Sequence, residues 1–568
     1  MICTTLLALT VGWQEPFFIG RAQADGATEA NAAIPQTANE VRAYDLRALR
    51  VSSVTAPGST WRLVPQGLVH ILNEGNSYDD SDGEESELFF PGLLSDLLGE
   101  QLSFEGRSLR VLEDGTMLLI GPAELQANVQ RLYDFFLEAA SERIVLSVEV
   151  ESGGKTTRQL VSLPSAVWGQ VRVTETQPIV ADVDVQIAQA SGIGEPIVVG
   201  VESGLRLDLQ AVPVDGGVVL SSILRLGQKG SFGQTKIGLG LRVSGETKTG
   251  VIVEDFEELQ SYELVGLGSG GATFLPDSGS LRLGGVYRNQ LHRVTITHVG
   301  GQLLPRREVE IQPGGQKLVL LNEHAGAPSR ISAQGGGMIP NLERSSYSAT
   351  MGSSPLLGVR LSQGPGPEVM DLIGSLGLRR KMMISHFGPW RVLGPRGGEF
   401  GEALASYEAQ VQASIRNPQP MELLIEFFDG EQLVAAYSGT TLSGGTTVFS
   451  VGAETMEVMD YEVEVAQFAA VPDPMVASRF DGMMGLVRAT PAADGRVSLV
   501  LRAATTWTTT DQSADLGMSL MEGIEQATQG RLFVDERRVL SSEDGSEWTA
   551  RFGADGSPGP SILVTVMK

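Results

Sequence analysis

The sequence predicts a mainly β protein with one α/β module, its antiparallel sheets or sandwiches internally duplicated. Three observations carry this. Runs that alternate apolar and polar residues far outnumber helical patterns. The chain holds 69 glycines and 27 prolines among its 568 residues, enough to punctuate many strands with turns. And the stretch GLRLDLQAVPVDGGVVL (204–220) returns as GMMGLVRATPAADGRVSL (482–499). A 42% hydrophobic content lets such a chain bury cores of its own, and its length calls for several of them.

The elements follow in order. ICTTLLALTVGW is apolar and Ala22-Gln23-Ala24 forms a small-residue cleavage pattern, so residues 1–24 are expected to be a secretory signal peptide. Residues 25–40 are small and polar, a linker. VRAYDLRAL then opens an extended segment, and WRLV gives a short strand. NSYDDSDGEESE, with carboxylates at Asp79, Asp80, Asp82, Glu84, Glu85 and Glu87, is expected to be a solvated loop. In GLLSDLLGEQL, Leu93, Leu94, Leu97 and Leu98 make one helical face. SLRVLEDGTMLLIG outlines a hairpin with a type I′ turn at Asp114-Gly115. PAELQANVQRLYDFFLEAASE is a helix that opens on Pro122 and aligns Leu125, Val129, Leu132, Phe136 and Ala140. Together 41–143 form an α/β module.

From Arg143 strands dominate. IVLSVEVES alternates Ile144, Leu146, Val148 and Val150 with smaller or polar residues. VADVDVQIAQA sets Val183, Val185 and Ile187 against Asp182, Asp184 and Gln186, the pattern of a half-buried antiparallel strand. GLRLDLQAVPVDGGVVL reads as a strand, a proline-containing break, an Asp215-Gly216 turn and a second strand. Residues 144–235 are thus a first β-domain and 236–330 a further β-rich region. Residues 331–400 form a Gly/Pro-rich connector holding one helix over EVMDLIGSLGLRRKMMI (368–384), and 401–568 a second β-domain related to the first.

The relation is positional. Pro196, Gly204 and Pro213 match Pro474, Gly482 and Pro491 at an offset of 278; Asp215-Gly216, Val218 and Leu220 match Asp494-Gly495, Val497 and Leu499 at 279. ADVDVQIAQ parallels YEVEVAQFA at 280, and LSVEVESGG faces LIEFFDGEQ near 277, a drift of the kind loop insertions produce.

The order of these parts resembles the bacterial secretins. VRAYDLRAL, LLSDLLGEQL, SLRVLEDGTMLLIGPAELQANVQRLYDFF and ERIVLSVEV follow one another as do the parts of a secretin's periplasmic N-terminal module and the first strand of its β-domain. Leu118-Leu119-Ile120 and the helix from Pro122 to Ala140 stand in the places of that module's last strand and helix. Gly204, Leu207, Leu209, Pro213, Gly217, Val218 and Leu220 sit close to the secretin pattern G-x-x-L-x-V-x-P-x-x-x-x-G-x-V-x-L. The resemblance covers about 41–228 and, more faintly, 461–505. The V-P-x-L-G-x-L-F gate element is not found, and secretins do not normally carry two copies of the β-segment. The resemblance implies a homo-oligomeric ring or envelope secretion components as partners, and a place in the periplasm or outer membrane.

Chemistry-bearing motifs are few. GLGSGG (266–271) satisfies G-x-G-x-x-G, but ATFLPDSGS follows it where a phosphate site needs a helix, so a glycine-rich turn is expected. The acidic run lacks the calcium-loop order. His292 and His298 lie six apart in LHRVTITH with no third ligand. There is no G-x-S-x-G elbow, and Cys3 is the only cysteine, so a nucleophile and a thiolate metal site are both wanting. A formal charge of −26 disfavours nucleic acid. No apolar run approaches the length of a membrane helix. No catalytic, cofactor or metal residue is nominated and no cofactor is expected. The strands VDVQIAQ and YEVEVAQF are candidate sheet edges for pairing with a neighbouring subunit. The expected function is a non-enzymatic structural component of a cell-envelope secretion or pilus-type assembly. The alternatives are a secreted β-sandwich that binds protein or glycan, and a hydrolase with an unrecognised site.

Overall fold

A computed structural model of the chain describes residues 39–49, 61–62, 83–165, 167–188, 191–214, 216–238, 241–243, 251–253, 256–311, 316–322, 330–334, 358–362, 381–387, 390–395, 400–414, 420–466, 469–492, 494–514, 524–542, 545–553 and 559–568. The signal peptide and linker expected before residue 39 lie outside these, as do Asp79, Asp80 and Asp82.

The N-terminal part pairs three strands in the order β1-β4-β3 and lays helices on them: β1 (Glu40–Asp45), β2 (Trp61–Arg62), α1 (Gly83–Leu102), β3 (Ser108–Val111), β4 (Thr116–Gly121) and α2 (Ala123–Ser141). The stripe read from sequence buries Leu125, Val129, Leu132 and Phe136 against Tyr44, Met117 and Leu119. Gln126 fixes α2 to the sheet by donating to the carbonyls of Glu40 and Leu119, both at 2.9 Å. Two expectations are corrected. The acidic loop ends early: Glu84, Glu85 and Glu87 belong to α1, where carboxylates near a helix N-terminus are favoured by its dipole. The Asp114-Gly115 turn is not type I′, since only Gly115 has a positive φ, 77°, and type I′ needs two such residues.

The β region runs through β5 (Arg143–Ser152), β6 (Lys155–Pro164), β7 (Trp168–Ala188), β8 (Ser191–Val214), β9 (Gly217–Gly238), the short pair β10 (Leu241–Val243) and β11 (Val251–Val253), then β12 (Phe256–Pro276), β13 (Ser280–Tyr287) and β14 (Gln290–Gly301). After an intervening stretch it resumes with β21 (Pro420–Asp429), β22 (Gln432–Leu442), β23 (Thr446–Ala466), β24 (Ala469–Pro491), β25 (Val497–Ala514), β26 (Ile524–Leu540), β27 (Glu547–Gly553) and β28 (Ser561–Met567). These strands make two eight-stranded antiparallel sheets. The first has the order β26-β25-β24-β23-β12-β9-β8-β7 and the second β27-β28-β21-β22-β13-β14-β5-β6. Their facing sides share one core, with Leu207, Leu224, Leu267, Val451 and Leu501 from the first sheet against Leu146, Ile296, Ile425, Tyr437 and Val564 from the second.

The intervening stretch holds β15 (Arg306–Ile311), β16 (Gln316–Asn322), β17 (Arg330–Gln334), β18 (Gly358–Ser362), β19 (Met382–Phe387), β20 (Trp390–Pro395) and α3 (Phe400–Ser414). The sheet β15-β16-β20-β19 turns Leu318, Leu320, Trp390 and Val392 toward α1 and α2, and Val319 and Leu393 toward α3. Arg307 locks it to α2 through Glu142, its Nε 2.9 Å from the carboxylate. Of the helix expected over 368–384, residues 368–380 lie outside the described residues, and Met382–Ile384 belong to β19.

The two halves repeat strand for strand. β7/β8 and β23/β24 pair in the same register at a single offset of 278: Trp168↔Gln210 becomes Thr446↔Arg488, and the bulge between Val180 and Asp182 returns between Val458 and Asp460. The drift to 280 read from sequence is thereby corrected, since Asp182 corresponds to Asp460 and Val183 to Tyr461. The proline break is corrected too, because β8 continues through Pro213, opposite Val218. Val214 and Gly217 close the hairpin and exchange hydrogen bonds, so the next rung directs the prolyl nitrogen away from β9. On that side β7 has already stopped, its last pair being Trp168↔Gln210. Pro491 sits likewise, past the Thr446↔Arg488 end of β23.

A row of glycines crosses the first sheet: Gly204, Gly227, Gly266, Gly452 and Gly482 occupy successive strands on one rung, flanked by Thr174 and Thr506. Gly204 and Gly482 have φ of 116° and 147°, and a Cβ on either would lie 2.2 Å from a carbonyl oxygen, that of Val173 or Val451. Gly495, by contrast, has φ 80° and open space around it. We therefore expect Gly204→Val or Gly482→Val to destabilise the chain by about 2–4 kcal/mol and Gly495→Ala by only about 1 kcal/mol. Urea-unfolding midpoints read the difference; equal shifts for the three variants would contradict the close backbone approach.

Candidate assembly surface

The halves meet head to tail. In the first sheet the last strand of half one, β12, pairs with the first of half two, β23, from Glu263↔Thr455 to Gly270↔Val448. In the second sheet β13 pairs with β22, from Gly284↔Ser438 to Tyr287↔Ala435. Around this joint the sheets are tied by Ser269 Oγ and Tyr437 Oη at 2.7 Å, by Thr273 and Thr440 hydroxyls at 2.8 Å, and by Tyr437 stacked 5.4 Å from Phe449. Burial pushes the Tyr437 phenol up to about 12, opposed by its bond to Ser269.

A head-to-tail joint leaves unlike ends. One end of the sandwich presents β6 and β7, the other β26 and β27, and among the described residues each of these strands is laddered on one side. Apolar side chains stand exposed there: Leu160 (68%) and Val173 (38%) at one end, Phe533 (37%) and Val539 (58%) at the other. Soluble proteins usually blunt such edges. Arg158 and Lys155 do so for β6, whereas the lower part of β7 carries a single cation, Arg172, already paired with Glu202 at 2.7 Å.

The first sheet is also buried on the side away from the second. Trp168, Asp208, Ile223, Val448 and Met484 are all within 5% exposure there, because the sheet curls until β7 packs across against β12, β23 and β24. That curl encloses polar groups. The Asp208 carboxylate accepts from Gln170 at 3.0 Å, and burial raises its pKa to about 6 despite Gln170 and Arg206.

Residues singled out in the sequence are dispersed. GLGSGG is not a turn; it lies mid-strand in β12, where Gly266 lets the Leu226 carbonyl approach. His292 and His298 share β14 but lie roughly 20 Å apart along it. His292 is fully buried with Nδ1 2.9 Å from Ser152 Oγ, while His298 bonds the Gly300 carbonyl and faces Asp277 at 3.6 Å. Among the described residues no group of three or more His, Cys, Asp or Glu is placed to hold a metal. Of the two candidate edges, VDVQIAQ falls in the end strand β7. YEVEVAQF falls in the upper arm of β23, which beyond Thr455 pairs with β24 alone among the described residues, so it too is bonded on one side, while the foot of β23 is held by β12. The joint itself was missed in sequence; the 278 offset was its one visible trace.

No protein-family model matches the chain, and no curated protein matches it. Among solved structures the chain is similar to the Salmonella SPI-1 type III secretion injectisome secretin InvG, with a TM-score of 0.20 and 12% identity over 45% of this chain and 87% of that one. The InvG secretin-domain β-barrel gives a TM-score of 0.19 over 39% of this chain and 79% of that one. Such superpositions carry no weight for function, which rests on the strands themselves. No helix among the described residues is long and apolar enough to cross a membrane.

Two buried groups give opposite pH dependences. Burial lowers the His292 pKa to about 4, below its unfolded value near 6.5, so its share of stability is complete above pH 6.5 and is lost as pH falls toward 4. Asp208 is raised to about 6 from 3.8, so its share is complete below pH 3.8 and is lost as pH rises through 6. Each is worth about 3 kcal/mol at its limit, and between pH 4 and 6 they nearly cancel. Asp208→Asn should make stability fall more steeply on acidification, and His292→Gln should reverse that slope. Urea midpoints at pH 4, 5, 6 and 7 test this; parallel profiles for wild type and both variants would refute it.

Proposed function

We propose that the chain is a non-enzymatic structural component of a bacterial cell-envelope secretion or pilus-type assembly, delivered across the inner membrane by residues 1–24 and working as a homo-oligomeric β-wall. One observation carries this reading: two like halves are joined edge to edge into a continuous double sheet whose outer edges pair with no further strand among the described residues. A protein built to work alone has reason to cover such edges, whereas a wall unit has reason to keep them. The domain divisions read from the sequence, 41–143 for the α/β module and 144–235 and 401–568 for the β copies, belong to the same proposal.

The long hairpins support the envelope setting. From Thr174 to the tip of β7 at Ala188 the strand extends roughly 45 Å beyond the glycine row, and β23 does the same from Gly452 to Ala466. A tilted membrane-crossing β-strand needs about 9–11 residues, which these arms exceed.

The full chain produced in a Gram-negative host should fractionate with the envelope, and mild detergent should release ring- or wall-shaped particles visible by negative-stain electron microscopy. A protein recovered only as a soluble monomer at high concentration would sink the assembly reading and favour a secreted binding module.

A further inference from the structure

The joint inside the chain is a template for the joint between chains. β12 and β26 hold the same place in their halves, as do β23 and β7; in the second sheet β13 corresponds to β27 and β22 to β6. The free end of half two is therefore built like the paired end of half one, and the free end of half one like the paired start of half two. Resting on the assembly reading above, we infer that a second copy of this chain docks its β7 edge on β26 and its β6 edge on β27, so that every chain supplies two consecutive wall units.

The register follows from the rungs. Gly204 corresponds to Gly482. Gly204 faces Thr174 on one side and Gly227 on the other, and Gly227 faces Gly266; Gly482 faces Gly452 and Thr506, and Thr506 faces Arg531. Thr174 thus stands for Gly452 and Arg531 for Gly266. Since Gly266 pairs with Gly452, Arg531 of one chain faces Thr174 of the next.

The chemistry agrees with that register, though it was fixed from backbone pairing alone. Val534 falls opposite Val171, both core residues, and Leu532, packed at the margin of that core, falls opposite the exposed Val173 on the same face. A slip of one residue would set these apolar side chains opposite polar ones. On the other face Phe533 meets the arginine of Arg172, and Asp535 meets Gln170. β7 packs across the curled sheet without entering a ladder there, so its hydrogen-bonding edge is still to be matched.

Because Cys3 is the only native cysteine, the rung can be tested by disulfide trapping. The full chain would carry Cys3→Ser with Thr174→Cys and Arg531→Cys, be extracted from envelopes in mild detergent, oxidised and run on a non-reducing gel. Directly opposed residues bring their Cβ atoms about 4.5–5.5 Å apart, so a small approach of the strands reaches the separation of about 3.5–4.5 Å in a disulfide, whereas residues four places off register cannot reach it. A ladder at multiples of the mass of the single chain is expected. Each single-cysteine chain should stay a monomer, having no thiol opposite its own, and the off-register pair Thr174→Cys with Asp535→Cys should yield at least tenfold less ladder. Val173→Cys with Leu532→Cys is a second in-register pair should the first misfold. A disulfide confined to the monomer, or equal laddering off register, overturns the inference. Ring-sized particles without cross-linking would overturn this joint and leave the assembly reading standing; monomers alone would overturn both.

Discussion

The β region depends on one hydrogen-bonded ladder, the eight rungs between β12 and β23. Without it the first sheet would be two four-stranded blades, each with an additional bare edge, and the second sheet would be held across its middle by the four rungs of β13 and β22 alone. The ladder is made where side chains are smallest, at Gly266, Gly268, Gly270 and Gly452, so that two backbones meet with little to separate them. Tyr437 then spans the sheets to Ser269, and Phe449 stacks on it. Backbone pairing sets the position, and aromatic packing above it makes the position unique.

Much of the fold was legible because its signals are local. The α2 stripe, the alternation of β5 and the reuse of prolines and glycines at fixed spacing all appear in a short window. What was not legible depended on neighbours far along the chain. Pro213 reads as a break, yet it is tolerated within β8 because β7 ends three rungs earlier. GLGSGG reads as a turn, yet it is a strand because Leu226 and Val448 crowd it from both sides. Likewise VDVQIAQ and YEVEVAQF carry the same pattern and both lie on arms paired on one side, yet β7 stands last in its sheet whereas the foot of β23 is held by β12. Which strand ends a sheet therefore cannot be found by pattern alone; it depends on which strand follows which.

The curl of the first sheet has a cost. It takes Asp208 out of water with a single amide to receive it, and it brings Trp168 and Met484 under cover on a face that alternation marks as mixed. Burying a carboxylate is unfavourable unless its partners are complete. A flatter sheet would return that group to solvent, so straightening gains some of the free energy that separating the packed strands loses. The buried imidazole of His292 lies between the two sheets on β14, where Ser152 Oγ links it to Gln228 of the first sheet.

Pro213 and Pro491 have one more implication. Each places a ring nitrogen, with no hydrogen to give, on the rung where β7 or β23 would have to grow to lengthen the sheet. Any longer neighbour would leave a carbonyl facing that nitrogen unanswered. The lower rim of the first sheet is therefore set by covalent chemistry at two equivalent points, whatever loops are inserted beyond it.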